Sequence, residues 1–163
     1  MKYKILFTVL LAGMLLFAQP QKAKSYTKSI SADPISLIFG MFNVTYEFQT
    51  APQNSWTIFG SYYFPSSSWT VLGAGASYRW YLLNSKKTNI IEGFSFGPKA
   101  YISYWGSDIS DGGVGFTIGG EAAYKWVFGG FTVEPIFNLL IPLVKYYGNS
   151  LNVGIGVNLG YAW

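Results

Sequence analysis

Leu151-Asn-Val-Gly-Ile-Gly-Val-Asn-Leu-Gly-Tyr-Ala-Trp163 alternates without a break. Leu151, Val153, Ile155, Val157, Leu159, Tyr161 and Trp163 fall on one parity; Asn152, Gly154, Gly156, Asn158, Gly160 and Ala162 fall on the other. A period of two is that of a β-strand, whose successive side chains point to opposite faces. One face of this strand is apolar from end to end, and the other is small or polar.

The same pattern recurs upstream, in segments of about 10 to 16 residues separated by turn-like clusters, as a membrane-crossing barrel requires. Residues 36–49 set Ile38, Phe42, Val44, Tyr46 and Phe48 against Asn43, Thr45, Glu47 and Gln49. Residues 55–64 oppose Trp56, Ile58, Tyr62 and Phe64 to Ser55, Thr57 and Ser61, and residues 69–83 oppose Leu72, Ala74, Ala76, Tyr78, Trp80 and Leu82 to Gly73, Gly75, Ser77, Arg79 and Tyr81. In residues 89–105 the greasy face is Phe94, Phe96, Ala100, Ile102 and Tyr104. In 113–126 it is Val114, Phe116, Ile118, Ala122, Tyr124 and Trp126, and in 131–140 it is Phe131, Val133, Phe137 and Leu139.

Alternation alone does not say which face meets water, because a soluble ligand-binding barrel alternates with its apolar side turned inward. Two features decide. The polar parity carries Glu47, Arg79, Lys99, Glu121, Lys125 and Glu134, three charges of each sign, which can pair inside a narrow barrel. The apolar parity carries aromatics near strand ends: Tyr46 with Phe48, Tyr78 with Trp80, Tyr124 with Trp126, and Tyr161 with Trp163. Such clusters match the interfacial girdles of membrane barrels, expected at both rims. Large residues Phe59, Tyr63, Tyr81 and Tyr101 share the inward parity. The in-strand glycines on the concave side leave room for neighbouring rings.

Seven strands follow from these segments, yet bacterial single-chain barrels have an even number. With Trp163 at the periplasmic end, residues 50–54, 84–88 and 127–130 become turns on that side, and 65–68, 106–112 and 141–150 become outer loops. An eighth strand must then precede residue 36. The candidate is residues 26–32, closed by the turn-like Asp33-Pro34, and pairing it with the last strand closes the barrel and removes its edges.

Ahead of it, two lysines in residues 1–4 precede an apolar or small run over 5–17, which reads as a signal peptide cleaved after Ala18, with Ala23 the weaker site. The run is short of the ~20 residues a spanning helix needs. The chain thus divides into a signal peptide at 1–18, an N-terminal segment holding the candidate first strand at 19–32, and the barrel at 33–163.

Composition supports lipid as the solvent. Only 11% of residues are charged and 20% are aromatic, against about 25% charged in soluble domains. Of 11 basic and 7 acidic residues, Lys2 and Lys4 leave with the leader, so the mature balance is 9 against 7, or +2. That excess provides no basic footprint for nucleic acid. Zero Cys excludes disulfides, thiol chemistry and lipoprotein anchoring.

The leader, the alternating segments and the ending Leu159-Gly-Tyr-Ala-Trp163 resemble the eight-stranded outer-membrane barrels typified by the OmpA transmembrane domain and OmpX. In such a family a terminal aromatic is the signal for the outer-membrane assembly machinery; here Trp163 replaces the more usual Phe. Asn43-Val-Thr-Tyr-Glu47, Tyr78-Arg-Trp-Tyr81 and Glu92-Gly-Phe-Ser-Phe-Gly-Pro98 look like an uncharacterised family of small outer-membrane barrels of the Bacteroides group. The resemblance covers residues 33–163. It implies an outer-membrane location with membrane lipids as partners, and no established activity.

Enzymes of this barrel type generally use a His, and the chain has none. The sharpest catalytic candidate is Glu121 with Glu134 sharing a proton, Lys125 one inward step away. A paired structural network of the six inward charges is the stronger expectation, so no catalytic residue and no cofactor are expected. Asp108 and Asp111 in a Gly-rich loop lack the terminal bidentate Glu of a calcium loop, so no metal site is expected. A structural or surface-interaction role leads. A narrow pore or binder of a small solute or apolar ligand is the alternative, and an adhesin displaying Lys145, Tyr146 and Tyr147 comes third.

Overall fold

The computed structural model describes residues 25–64, 69–82, 91–107, 110–143 and 151–163. Eight antiparallel strands, β1 (Lys28–Ala32), β2 (Met41–Ala51), β3 (Asn54–Tyr63), β4 (Trp69–Tyr81), β5 (Gly93–Ser107), β6 (Ser110–Phe128), β7 (Phe131–Pro142) and β8 (Asn152–Ala162), follow one another around a closed barrel. Closure is made by β1 against β8, with Ser29 opposite Ala162 and Ala32 opposite Leu159. The expected first strand therefore exists, trimmed to five residues. The leader and its cleavage site lie outside the described residues.

We call the end holding Trp163 the base and the opposite end the mouth. At the base, β2 and β3 are joined through Pro52 and Gln53, and β6 and β7 through Gly129 and Gly130. Both of these glycines have positive φ, 61° and 105°, the backbone that a two-residue hairpin needs to follow the strand twist.

Three expectations are corrected. Residues 36–38 do not open β2. They belong to a one-turn helix, α1 (Pro34–Ile38). Asp33 starts it, its Oδ1 accepting from the Ile35 and Ser36 amides at 2.9 and 3.1 Å and its Oδ2 from the Ser36 hydroxyl at 2.7 Å. Pro34 supplies the preset φ of the first helical position, and Gly40 at φ 80° ends the excursion.

The supposed outer loop 106–112 is largely ladder, since β5 and β6 stay paired as far as Ser107 opposite Ser110. A Cβ at Gly113 would overlap the Trp105 ring, so glycine lets that ring lie against the neighbouring strand. Asp111 falls within β6, and Asp108 lies outside the described residues. Finally, residues 91 and 92 do not belong to β5, and 89 and 90 lie outside the described residues. The chain enters at Gly93 with φ 108°, and Ile91 tucks beneath the barrel.

Two prolines interrupt the ladders. Pairing of β4 with β5 skips Tyr78 and Arg79 beside Pro98, and pairing of β6 with β7 skips Tyr124 and Lys125 beside Pro135. A proline has no N–H to donate, so a break is expected at each. Both breaks adjoin inward charges.

Candidate functional site

The six inward charges predicted from parity converge in the base half of the lumen, and all but Lys99 are almost wholly buried. Arg79 on β4 is the hub. Its Nε donates to Glu121 Oε1 at 2.6 Å, and its Nη1 donates to Glu134 Oε1 at 2.7 Å and Glu47 Oε2 at 3.1 Å. Lys125 bonds Glu47 Oε2, reaches Ser29 Oγ at 3.1 Å and stands 3.3 Å from Glu134 Oε1. Lys99, higher in the lumen, donates to Glu121 Oε2 at 3.1 Å and Asn138 Oδ1 at 3.0 Å, and its ammonium lies 4.3 Å from the centre of the Phe59 ring.

Three cations meet three carboxylates, so the cluster is formally neutral. That matters because an unpaired charge removed from water costs several kcal/mol or more. The remaining carboxylate valences are also filled. Glu47 accepts from Ser55 Oγ at 2.5 Å and the Tyr81 hydroxyl at 2.6 Å; Glu121 accepts from Ser77 Oγ at 2.6 Å; Glu134 accepts from Asn158 Nδ2 at 3.3 Å. With Ser29 on β1, Ser55 on β3 and Asn158 on β8, every strand contributes at least one group.

These neutral partners were not singled out in the sequence. Ser29 stands opposite Glu47, Ser55 opposite Arg79, Ser77 opposite Lys99 and Asn158 opposite Glu134. Only Asn158 bonds the charge it faces; Ser29, Ser55 and Ser77 bond Lys125, Glu47 and Glu121 instead, contacts that neither alternation nor register supplies.

Below the cluster, Tyr26, Tyr81, Ile91 and Ala162 form a small apolar seal. The Ile91 amide donates to the Tyr26 carbonyl at 3.2 Å, and Glu92 Oε1 accepts from the Val127 amide at 3.3 Å. Above it, two rings from β3 and β5 enter the lumen. The Phe59 and Tyr101 rings stack at 5.9 Å, and the Tyr101 hydroxyl meets Ser61 Oγ at 2.9 Å. A Cβ at Gly73 would overlap Tyr101 and one at Gly75 would overlap Phe59, so the glycines of β4 let both rings lie flat on the wall. Toward β7 and β8, a Cβ at Gly154 would meet nothing nearer than Asn138 Cβ at 3.7 Å. Inward residues of the mouth half, including Asn43, Thr45, Thr117 and Asn138, are partly exposed, whereas those of the base half are buried. Among the described residues, the lumen is closed at its base half.

The carboxylates proposed to share a proton do not meet. Arg79 stands between Glu121 and Glu134, and Lys125 serves Glu47 and Glu134 rather than Glu121. The guanidinium pairs with each carboxylate separately, so the two have no direct contact across which a proton could be shared.

Tyr46, Tyr78, Trp80, Tyr124, Trp126, Tyr161 and Trp163 all stand on the outer face toward the base. Tyr46 packs on Phe48 and Trp163, Trp56 on Tyr78, Tyr78 on Trp80, Trp80 on Phe96, and Tyr124 on Trp126. The belt is continuous over β3 to β5. Toward the mouth, Tyr62 stacks on Phe64 at 5.9 Å, and Phe42, Tyr62, Leu72 and Tyr104 follow one another around the wall. No family model, no curated protein and no solved structure matches this chain.

Proposed function

We propose that this chain is an exported outer-membrane barrel with a structural or surface-interaction role, held in the membrane by its apolar outer face and plugged within by its own side chains. It is not a conduit and not an enzyme. The observation that carries this reading is the neutral cluster centred on Arg79, which fills the base half of the lumen and involves every strand. The outer face adds support. It exposes Ile58, Ile102 and Phe137 between two tiers of aromatics, with Leu72 and Val114 level with the tier nearer the mouth, a surface suited to hydrocarbon bounded by interfaces. An eight-stranded barrel has an interior just wide enough for side chains to fill. Likeness to OmpA-type barrels and to the small barrels of the Bacteroides group agrees with this role, and delivery by the outer-membrane assembly machinery through the strand ending in Trp163 follows from it.

Planar-bilayer recording tests the reading. The purified chain is expected to give no stable open-channel steps, and porin-sized steps would overturn it. A second reading, a binder of a small solute, is favoured by the partly exposed inward residues of the mouth half, Asn43, Thr45, Thr117 and Asn138. A screen of small polar solutes for a thermal shift, repeated with Asn138→Leu, separates it from a purely structural role.

A further inference from the structure

Strand β8 outruns its neighbour β1. Strand β1 ends at Ala32, opposite Leu159, whereas β8 continues toward the mouth through Asn152. The amide of Trp163 donates to the Lys28 carbonyl, and the amide of Ala162 donates to the Gly130 carbonyl. Backbone groups of odd-numbered residues of β8 therefore point to β1 and those of even-numbered residues to β7, by the alternation of an antiparallel ladder. The N–H and C=O groups of Val153, Ile155 and Val157 consequently point past the end of β1.

The chain that follows β1 does not meet them. The Asp33 amide donates to Asn43 of β2, and its carbonyl accepts from Leu37 within α1. Helix α1 lies against β2 and β8 but makes no hydrogen bond to β8 among the described residues. Backbone groups at membrane depth require partners, because hydrocarbon offers none.

Next to this edge the outer face carries a groove of about 470 Å³. Its floor is made by Ala122, Pro135 and Val157 on adjacent strands, and Tyr124, Phe137 and Ile155 stand beside it. It runs from Phe94 on β5 to Ile35 on α1, and its lining is apolar almost throughout. Ile155 is 84% exposed at its margin, and Ile38 and Phe39 at the end of α1 are each 74% exposed.

We infer that this groove and the open edge of β8 form one binding site for an acyl chain of a resident membrane lipid. The hydrocarbon lies over Ala122 and Pro135, and the lipid's ester, amide or hydroxyl group bonds the backbone groups of Val153, Ile155 and Val157 that point past the end of β1 and meet no partner among the described residues. A lipid supplies both requirements at once: methylenes for an apolar floor and a polar linkage for the edge. The inference rests on the membrane reading above.

The test is native mass spectrometry of the full chain extracted from membranes in mild detergent, with strand content checked by circular dichroism and the fold by heat-dependent gel mobility. Wild type is expected to retain one lipid per barrel. Ala122→Trp, which fills the floor of the groove, is expected to reduce that occupancy about tenfold through lost methylene contacts. Leu72→Trp, an exposed site on β4 on the far side of the barrel, should leave it unchanged. A folded, membrane-extracted wild type without a lipid adduct, or equal adducts in wild type and Ala122→Trp, overturns the inference. A lipid-free dimer also overturns it, since a second copy then covers the edge. Recovery of the folded chain outside the membrane fraction overturns the membrane reading and this inference together, an outcome distinct from a membrane-bound chain without lipid.

Discussion

Arg79 on β4 reaches Glu134 on β7 across the lumen, Nη1 to Oε1 at 2.7 Å, while the same guanidinium holds Glu47 and Glu121. One side chain thus neutralises parts of three carboxylates on three other strands. Replacing it with Met leaves buried negative charge with only Lys99 and Lys125 to balance it. The expected loss is about 3–5 kcal/mol, read as a lower urea midpoint for unfolding from detergent micelles. Adding Glu121→Gln to Arg79→Met should recover part of that loss. A loss no larger than a surface substitution would contradict the role given to Arg79.

Tyr81 donates to Glu47 at 2.6 Å and also contributes to the apolar seal. Tyr81→Phe keeps the ring and removes the donor. Glu47 retains Ser55, Arg79 and Lys125, so the expected cost is about 1.5–3 kcal/mol, that of a hydrogen bond to a charged group, and smaller than for Arg79→Met.

Lys99 is the one charge of the cluster with some exposure, its side chain 14% accessible, and it sits over Phe59. A double-mutant cycle of Lys99→Met and Phe59→Leu should give a coupling of about 0.5–2 kcal/mol, the range between exposed and desolvated cation–π pairs. Strict additivity would show that the two do not interact.

Gly97 and Gly154 make a matched pair. A Cβ at Gly97 would overlap the Tyr78 carbonyl oxygen, a backbone atom that cannot swing aside, while at Gly154 the nearest atom is 3.7 Å away. Gly97→Ala is therefore expected to lower stability by about 1–3 kcal/mol. Gly154→Ala should fall within about 0.5 kcal/mol of wild type. Both are measured by the same urea titration.

Ile102 is half exposed on the outer face, between the two tiers of aromatics. In lipid bilayers, Ile102→Arg should reduce folding stability by about 2–4 kcal/mol, as for a basic residue at the midplane of a barrel. A substitution without effect there would argue against hydrocarbon at this position.

Much of the architecture was legible because a period of two carries its own orientation. The inward residues Glu47, Arg79, Glu121, Lys125 and Glu134 and the outward Ile58, Leu72, Ile102 and Phe137 stand on the faces that parity assigned. Where the period was counterfeit, it misled. Ile38 continues the even-numbered apolar set of β2, yet Asp33 and Pro34 turn those residues into a helix, a local capping preference that outweighs one more apolar match. Ile91 likewise keeps inward parity but reaches the interior from a connection, not from a strand.

By itself, the sequence determined an alternating chain with one apolar face, a balanced set of inward charges and a number of segments that closure made even. These are properties of residue type and spacing, and no distant contact is needed to express them. Only the tertiary structure decided which charge meets which: Arg79 between Glu121 and Glu134, and Lys125 on Glu47. That choice depends on the stagger of eight strands around a closed wall, where neighbours across the lumen are up to 96 residues apart in the chain. The short β1 and the stretch of β8 that outruns it were equally out of reach, because an edge exists only relative to the strand that stops beside it.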